Sequence, residues 1–471
     1  MKKIEIEELK YSAVDVFDTF KTFPGVFFLD SSMNGGKLGR YSFIGIEPFL
    51  NFTSKGKEIT IVQDGKTYKT HNNPFDALNS LMEEYKIKSD TYDFPFIGGA
   101  VGYFSYDLCQ ILEKLPKIAI DDLKIPDCQL NFYDTIFIFD NILKKSYICS
   151  NIFLNKAKRK KYYLNLLSAN SKKNVKSQDS ANIKLSHSKF YIESNFTKEK
   201  YYKAILKAKE YISAGDIYQV NLSQRFQASL NIDAFDLYSI LRQKNPAPFS
   251  AYLDFENVKI VSSSPERFLK IRGSYVETCP IKGTRPRMND TNKDKKMGKE
   301  LLNSVKDKAE HIMIVDLERN DLGRVCEYGS VKVSEMFALE KYATVFHLVS
   351  TVTGVLHKAK SPIDCLRACF PGGSITGAPK IRSMEIIEEL EPTKRNIYTG
   401  SMGYLSFNGN IDLNIAIRTF VIKNNIAYFS VGGGIVADSD PYDEYKETLD
   451  KAKALIESVK LSHSDKKLAM G

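Results

Sequence analysis

Two pairs of acidic residues with equal spacing are the feature of the sequence that most directly suggests chemistry. Asp307 and Glu310 lie three positions apart in one predicted helix, and Glu444 and Glu447 lie three apart in another. Residues three apart share one helix face. If the two faces meet, the four carboxylates form an all-oxygen site of the kind that suits Mg²⁺. Either pair alone is equally typical of an ordinary exposed helix face.

Arg418 is a candidate for binding a carboxylate. It lies in the predicted strand 411–420, on the same face as Asn414 and Ala416, while the apolar residues of the strand alternate on the other face. These neighbours leave room for a carboxylate, which an arginine can hold through two parallel hydrogen bonds. The alternative is an exposed arginine on a strand surface.

Two glycine-rich segments could bring bare backbone to a ligand. Residues 371–380 (PGGSITGAPK) lack the Gly-Lys-[Ser/Thr] ending of a phosphate-binding loop, which excludes nucleotide binding there. Gly432, Gly433 and Gly434 follow a predicted strand, with no long helix starting directly after them. They predict a loop whose N–H groups can approach an anionic ligand.

Three isolated residues are compatible with catalysis, although their local sequence does not decide it. Lys282 lies at a predicted strand end, before a predicted Gly-Thr turn and close to other cations. Partial burial there would lower its pKa and make the amine a nucleophile, whereas a surface lysine is the simpler interpretation. Glu266 is undecided in the same way. His347 has apolar neighbours and is more often a hydrogen-bonded core residue in such a context.

The remaining sequence predicts mostly strands before residue 153 and helices alternating with hairpins after it. Strands are predicted at 26–29, 41–46 and 135–140, a hairpin turn at Asn408-Gly409, and helices at 73–87, 197–214, 294–320, 361–370, 379–391 and 441–459. Hairpin-joined strands with helices gathered between them favour an α+β fold with antiparallel sheets. Residues 168–189, rich in Ser, Asn and Lys, predict a linker or surface loop between an N-terminal region (1–167) and a second domain (190–460). A disordered tail is predicted at 461–471.

Composition narrows the class of protein. Hydrophobic residues make up 43% and charged residues 26% of the 471, as in globular proteins. No apolar run approaches the ~18 residues of a membrane span, and no apolar signal-peptide region is present. Seven scattered cysteines without metal-finger spacing predict a reducing, cytoplasmic compartment. The net charge of +10 lies partly in the run 156–176, which is typical of a solvated face and does not indicate nucleic-acid binding.

The chain resembles the chorismate-utilising enzyme family in seven segments: PIKGTRPR (280–287), EHIMIVDLERNDLGRV (310–325), FHLVSTVTG (346–354), FPGGSITGAPKIRSMEIIEELEP (370–392), YTGSMGY (398–404), DLNIAIRT (412–419) and GGGIVADSDPYDEYKETLDKA (432–452). The strong similarity covers about 190–459. Residues 27–32 (FFLDSS) and 40–48 (RYSFIGIEP) resemble the family's regulatory-type N-terminal region more weakly. The resemblance implies large antiparallel sheets packed as a sandwich with helices outside, formed jointly by both parts of the chain. Ser31, Pro248 and Phe249 occupy positions where the family's amino-acid pocket lies.

The residue at position 282 also distinguishes two branches of the family. Anthranilate synthases typically have alanine at this position, and aminodeoxychorismate synthases have lysine. The resemblance therefore implies that chorismate and ammonia form 4-amino-4-deoxychorismate, the precursor of p-aminobenzoate and folate. Anthranilate formation and a silent chorismate-binding subunit are the alternatives. Since no Cys-His-Glu glutaminase motif is present, a separate amidotransferase subunit would supply the ammonia.

The resemblance implies a role for each candidate residue. Lys282 would attack C2 of the chorismate ring, Glu266 would protonate the departing C4 hydroxyl, and His347 would lie near that hydroxyl. Mg²⁺ would anchor the ring carboxylate and be held by Glu310 and Glu447, with Asp307 and Glu444 close by or bound through water. The enolpyruvyl carboxylate would be held by Arg418, Tyr398 and the backbone of Gly432, Gly433 and Gly434. Gly283 and Thr284 would also contact the substrate.

Overall fold

The computed structural model describes residues 4–31, 39–87, 93–151, 157–174, 191–342 and 345–463. In these ranges the strands are β1 (Ile4–Leu9), β2 (Phe27–Asp30), β3 (Tyr41–Gly45), β4 (Leu50–Lys55), β5 (Glu58–Gln63), β6 (Lys66–His71), β7 (Gly99–Phe104), β8 (Cys128–Tyr133), β9 (Thr135–Asp140), β10 (Lys145–Asn151), β11 (Ile192–Ser194), β12 (Gln219–Ser229), β13 (Phe249–Asp254), β14 (Lys259–Ser264), β15 (Arg267–Arg272), β16 (Tyr275–Cys279), β17 (Ile281–Pro286), β18 (Lys332–Lys341), β19 (Val345–Val355), β20 (Gly377–Ala378), β21 (Ser401–Ser406), β22 (Ile411–Ile415), β23 (Thr419–Lys423) and β24 (Ile426–Ile435). The helices are α1 (Ala13–Phe20), α2 (Pro74–Tyr85), α3 (Cys109–Leu112), α4 (Ala157–Asn174), α5 (Lys198–Ser213), α6 (Ala234–Lys244), α7 (Thr291–Asn303), α8 (Val305–Gly323), α9 (Pro362–Cys369), α10 (Lys380–Leu390) and α11 (Pro441–Leu461).

The strands form two antiparallel sheets of 12 strands each. The first follows the order β1-β10-β9-β3-β2-β13-β14-β23-β24-β12-β11, with β20 paired to β12. The second follows the order β17-β19-β16-β15-β22-β21-β7-β8-β4-β5-β6, with β18 paired to β19. In both sheets, strands from before residue 175 pair directly with strands from after residue 190, as β2 pairs with β13 and β7 with β21. Both parts of the chain therefore share both sheets.

The sheets pack face to face through aromatic side chains. The rings of Phe43 and Tyr404, from opposite sheets, lie 5.5 Å apart, and those of Phe27 and Tyr133 lie 4.7 Å apart. Such edge-to-face pairs each contribute about 0.5–1.5 kcal/mol beyond their buried area. On the outer face of the first sheet, a second cluster of buried residues comes from α1, α6 and α11 and includes Phe17, Leu237 and Leu455. The expected α+β sandwich with external helices is confirmed.

Most predicted helices are present, but the prediction of a single helix at 294–320 is wrong. The chain forms α7 and α8 instead, and the break falls at Ser304, whose backbone is extended (φ −65°, ψ 110°). The Ser304 hydroxyl accepts a hydrogen bond from Asp307 N at 3.2 Å. A serine that caps the following helix in this way competes with continuation of the preceding one.

The uninterrupted strand predicted at 411–420 is also wrong. β22 ends at Ile415 in the second sheet, and β23 starts at Thr419 in the first sheet. The intervening residues cross between the sheets, and Arg418 takes a left-handed conformation with φ +53°. The connection from β14 to β15 crosses in the opposite sense through Pro265 and Glu266. The two crossings hydrogen-bond to each other, Ile415 N to Glu266 O at 3.0 Å and Ser263 N to Arg418 O at 3.1 Å.

The predicted linker and tail lie only partly within the described residues. Helix α4 includes residues 168–174 of the predicted linker, and residues 175–189 lie outside the described ranges. Of the predicted tail, residues 461–463 close α11 and its C-terminal turn, whereas 464–471 fall beyond them. All seven cysteines are buried free thiols. Within the described ranges, no helix is both long and apolar enough to span a bilayer.

Candidate active site

Glu266 lies at the crossing from β14 to β15 and is almost completely enclosed. Only 4% of its surface is exposed. Its Oε1 accepts hydrogen bonds from Ser374 Oγ at 2.6 Å and from Ile281 N at 3.3 Å. Burial raises the pKa of Glu266 to about 7, although both hydrogen bonds and the nearby charge of Lys282 act in the opposite direction. The group can therefore carry a proton near neutral pH, as a general acid must.

Lys282 projects from a bulge in β17 rather than from the predicted turn. The pairing of β17 with β19 shifts by one residue between Lys282 and Thr284. Gly283, at the bulge, has φ +71°, and a Cβ there would lie 2.8 Å from Leu301 Cδ1 and 3.1 Å from Asp307 Oδ1. Such a bulge changes the direction of the side chains next to it. The glycine is required both by its φ and by the closeness of α7 and α8.

The ammonium group of Lys282 is surrounded by charged side chains. Burial lowers its pKa; the charge of Lys451 lowers it further, whereas Glu310, Glu266 and Glu447 act to raise it. The net pKa lies below the usual lysine value, as expected for a nucleophilic amine. The side chain as a whole is only half-buried, so a reactant can reach it.

The two acidic pairs come together, one from α8 and one from α11. Burial raises the pKa of Glu310, and the charges of Asp307 and Glu447 add to the effect against the opposing charges of Lys282 and Lys306. Asp307 and Glu447, from the two helices, therefore both lie within electrostatic range of Glu310. Convergence of the four carboxylates on one ion stays a prediction.

The carboxylates differ in what they contact. Asp307 Oδ2 lies 3.0 Å from Arg285 Nη2, and Glu444 Oε1 accepts a hydrogen bond from Ser439 Oγ at 2.6 Å. Burial raises the pKa of Glu444. Burial also acts to raise the pKa of Glu447, but its 2.7 Å contact with Lys451 outweighs burial and leaves the value below normal. Within the described ranges, Glu310 forms no hydrogen bond or salt bridge.

The donor set fits Mg²⁺ only as a partial ligand shell. All four candidates are carboxylates, which are the hard oxygen donors that this ion prefers. Among the described residues, no three His, Cys, Asp or Glu side chains are gathered tightly enough to hold an ion alone. Mg²⁺ characteristically takes one or two carboxylates and completes its shell with water and substrate oxygens. Free Glu310 and nearby Glu447 are the pair best suited to that arrangement.

Arg418 supplies a half-buried positive charge at the crossing between the sheets. Its Nη1 donates to the carbonyl oxygen of Lys451. No carboxylate of the described residues lies within 4.0 Å of its guanidinium group. Burial lowers the pKa of Arg418, while Tyr398 nearby acts to raise it. A partly desolvated cation with no carboxylate of the described residues beside it favours an anionic ligand.

Tyr398 and His347 adjoin Arg418. Burial raises the pKa of Tyr398, so its hydroxyl stays protonated and can donate a hydrogen bond. Burial and the charge of Arg418 lower the pKa of His347 to about 4, so its ring is neutral at physiological pH. His347 Nδ1 lies 3.0 Å from Thr284 Oγ1. Thr284 itself is exposed.

Gly432, Gly433 and Gly434 form part of β24, so the predicted loop is wrong. Pairing with β12 continues through them, with Gly433 opposite Leu222, until Ile435. A Cβ at Gly433 would lie 3.1 Å from Glu444 Oε2, and one at Gly434 would lie 3.3 Å from Lys282 Nζ. The glycines thus let the acidic pairs and Lys282 approach the strand backbone.

Two residues of the site were missed from sequence. Lys451 Nζ lies 2.7 Å from Glu447 Oε1 and donates to Gly432 O at 2.8 Å. Because Lys451 lies four residues after Glu447 on the same helix face, this ion pair could have been predicted from the sequence. Ser374, the hydrogen-bond donor to Glu266, lies in the glycine-rich segment 371–380. Nothing in the local sequence connects Ser374 with a residue more than 100 positions away.

A separate cavity of about 270 Å³ lies between the sheets. Its walls include Ser31, Pro248 and Phe249, the positions that the resemblance associates with an amino-acid pocket, together with Tyr404 and Asn414. The cavity is lined by both parts of the chain. It is distinct from the cluster of Lys282, the acidic pairs and Arg418.

This fold is that of a family of chorismate-binding enzymes. The sequence model described as "chorismate binding enzyme" matches residues 26–457, and the chain belongs to that family. It is 40% identical over 458 residues to anthranilate synthase component 1 of Acetivibrio thermocellus, covering 95% of this chain and 92% of the relative. It is 41% identical over 444 residues to aminodeoxychorismate synthase component 1 of Escherichia coli, covering 94% and 95%.

Solved structures agree with this assignment. Anthranilate synthase component I from Streptococcus pneumoniae superimposes with a TM-score of 0.78 at 32% identity, covering 90% of this chain and 94% of the other. The menaquinone-specific isochorismate synthase of Escherichia coli has a TM-score of 0.72 at 18% identity, covering 97% and 95%. The second likeness concerns the fold alone.

Proposed function

We propose that the protein is an aminodeoxychorismate synthase component I, which converts chorismate and ammonia to 4-amino-4-deoxychorismate. The observation that carries the proposal is the environment of Lys282. Its amine has a lowered pKa and lies close to Glu266, a buried carboxyl that holds a proton near neutral pH. A nucleophile and an acid are the two groups that displacement of a hydroxyl requires.

In the proposed reaction the neutral amine of Lys282 attacks ring C2 and forms a C–N bond. Both ring double bonds shift, the C4–O bond breaks, and Glu266 gives its proton to the departing oxygen, so that water leaves. Ammonia then adds at C4 and returns one proton to the Glu266 carboxylate, while the double bonds shift back and expel Lys282 from C2 as the neutral amine. The sum is replacement of hydroxyl by amine with release of one water. Neutral His347 beside Thr284 is suited to a hydrogen bond with the C4 hydroxyl.

Charged groups at two positions would hold the dicarboxylate substrate. Arg418 lacks an anionic partner and, with the Tyr398 hydroxyl and the backbone of 432–434, is suited to the enolpyruvyl carboxylate. Glu310 and Glu447 would hold Mg²⁺, with Asp307 and Glu444 close by or bound through water. The ion would neutralise the ring carboxylate of chorismate, which otherwise faces an acidic cluster. Gly283 and Thr284 would adjoin the bound ring.

A glutamine amidotransferase subunit is the proposed source of ammonia. The relatives from Acetivibrio thermocellus and Escherichia coli are both named component 1, which implies a second component. Anthranilate formation is the second candidate function, because the relative of that name is almost equally similar over the same length. The two reactions share the substrate and differ at the carbon that receives nitrogen.

The test is to identify the product formed from chorismate, Mg²⁺ and ammonium by mass and absorbance. We expect 4-amino-4-deoxychorismate, which keeps the enolpyruvyl group. Anthranilate, which is fluorescent and is formed with loss of pyruvate, would instead support the second candidate. Consumption of no chorismate, with ammonium or with an added amidotransferase, would contradict both.

A further inference from the structure

A second buried carboxyl, that of Glu318 on α8, lies behind Glu266. Only 3% of Glu318 is exposed. Its Oε1 accepts a hydrogen bond from Gly373 N at 2.9 Å. Its Oε2 is buried and has no hydrogen-bond partner. A half-satisfied carboxyl in the interior is costly, so its retention calls for a reason beyond packing.

One short turn connects Glu318 to Glu266. Residues Gly373–Ile375 form a single 3₁₀ turn, and its second residue, Ser374, donates to Glu266 Oε1 at 2.6 Å. The first residue, Gly373, donates to Glu318. A Cβ at Gly373 would lie 2.7 Å from Leu317 Cδ2 and 3.1 Å from Glu318 Oε1. Neighbouring residues of the turn thus bind the two carboxyls, and the turn fits closely against α8.

The cation nearest to Glu318 is engaged elsewhere. The ammonium group of Lys380 on α10 contacts the carboxylate of Asp321 and donates to Pro371 O at 2.7 Å and Cys369 O at 3.1 Å. Asp321 on α8, the Cys369 thiol on α9 and Glu266 also face Glu318. Burial raises the pKa of Glu318 to about 7; Asp321 and Glu266 add to the effect, and Lys380 opposes it. Two carboxyls that hold protons in the same pH range therefore flank one turn.

We propose that Glu318 is a positioning residue for Glu266, which it serves by holding the Gly373–Ser374 turn against the Glu266 carboxyl and by placing a second acidic group beside it. The inference rests on the proposed role of Glu266 as proton donor. It does not depend on which product is formed, because protonation of the departing hydroxyl is common to both candidate reactions. Glu318 does not touch the substrate.

The test separates the hydrogen bond from the charge with two variants, Glu318→Gln and Glu318→Asp. The first keeps an acceptor for Gly373 and removes the charge that Glu318 carries once it ionises near pH 7, so the two carboxyls no longer oppose each other's ionisation in that range. We expect the limb of the kcat/KM profile near pH 7 to move to lower pH and to become steeper, as for a single titrating group. Glu318→Asp keeps the charge but withdraws the oxygen from Gly373. We expect kcat to fall about tenfold, while the limb of the kcat/KM profile stays at its wild-type pH. In both variants KM for chorismate should stay within about twofold of the wild-type value.

Glu388→Gln is the matched control, because Glu388 is a buried glutamate that accepts hydrogen bonds from Ile118 N and Ala119 N, outside the network of Glu266. Activity is followed as chorismate consumption in the full-length protein, and folding of each variant is checked by circular dichroism and thermal unfolding. Wild-type pH profiles and kcat in both Glu318 variants would overturn the proposal. So would losses that merely follow thermal stability, as in the control. An inactive wild-type protein would instead count against the proposed function itself.

Discussion

At the scale of single residues, burial shifts the pKa values of the proposed nucleophile and the proposed proton donor in opposite directions. It lowers the pKa of Lys282 and raises that of Glu266, so in each case it favours the uncharged form. An uncharged amine is nucleophilic, and an uncharged carboxyl can give a proton. The same buried environment thus favours the reactive form of both side chains.

Lys282→Ala should abolish covalent attachment of the substrate and strongly reduce formation of aminodeoxychorismate. Direct attack of ammonia at C2 remains open in this variant and would give anthranilate-type chemistry. The measurement is intact-protein mass spectrometry after rapid quenching of a reaction with chorismate and Mg²⁺ but no ammonia. An adduct that maps to Lys282 in the wild-type protein and is absent from the variant is the expected result. If no adduct accumulates, Lys282 is better described as a positioning cation.

The pH dependence should be bell-shaped, with one limb near pH 7. The proposed mechanism requires protonated Glu266 and neutral Lys282. A rise in pH depletes the first, whose pKa is raised to about 7, and populates the second, whose pKa lies below the usual lysine value. Steady-state kcat/KM for chorismate, measured from about pH 5.5 to about pH 10, checks this expectation. A profile that is flat between about pH 6 and pH 8 would disagree with the assignment of Glu266.

Arg418→Ala should weaken chorismate binding by about 2 kcal/mol or more, or about 30-fold in KM, because a charge-assisted contact is lost in a buried site. Arg267→Ala is not a suitable control, since Arg267 pairs with Glu277 and Asp412. Exposed Arg319, which pairs with Asp316 on the surface of α8, provides a better one, and Arg319→Ala should keep KM unchanged. Equal chorismate kinetics in the Arg418 and Arg319 variants would refute the anion-binding role.

At the scale of elements, the site depends on places where regular structure is interrupted. Glu266 and Arg418 lie at crossings between the sheets, and Lys282 lies beside a bulge at Gly283. Sequence patterns predicted most strands and helices because apolar spacing and capping residues are local properties. They failed at Arg418 because a strand that changes sheets keeps the same alternation as one that does not. They failed at Ser304 because a serine within a helical pattern can either continue the helix or cap a new one. The contact between Ser374 and Glu266 likewise arises from tertiary structure, and no local sequence pattern predicts it.

Gly283→Ala should impair both stability and activity. The alanine would have to adopt φ +71° against Leu301 and Asp307, which costs about 1–2 kcal/mol in conformation and about 1–3 kcal/mol in overpacking. Gly273→Ala is the control, since Gly273 has φ +60° but open space around its Cβ position. The unfolding temperature and kcat should both fall in the first variant, whereas the second should lose only the conformational part of about 1–2 kcal/mol and keep its kcat. Equal effects would indicate that crowding at the bulge is unimportant.

At the scale of the whole molecule, the N-terminal region and the chorismate-binding part form one structural body. The resemblance predicted the sandwich and its joint construction, whereas composition alone suggested two domains around a linker. Strand pairs such as Phe28 with Tyr252 and Gly102 with Gly403 join residues more than 200 positions apart. Such pairing cannot be inferred from periodicity, which reports which residues face inward but not which strands are neighbours.

Residues 1–174 and 191–471, produced as separate chains, should each fail to fold. Each piece would expose the strand edges and the apolar sheet faces that the other covers. Circular dichroism and size-exclusion chromatography would show an aggregated or expanded state for each fragment. Production of both in one cell should restore some folded complex. A fragment with cooperative thermal unfolding of its own would show that the two regions are independent domains.

The shared sheets also govern how a newly made chain reaches its fold. When β2 and β7 leave the ribosome, their partners β13 and β21 have not yet been synthesised, so strand edges near the centre of each sheet stay open. Contacts between residues so far apart in sequence form slowly, and unpaired strand edges can pair with other chains in the meantime. Growth temperature and chaperone supply should therefore affect the yield of soluble protein more than its final stability would suggest. The sharing of both sheets between the two parts of the chain thus makes folding dependent on the arrival of nearly the whole chain.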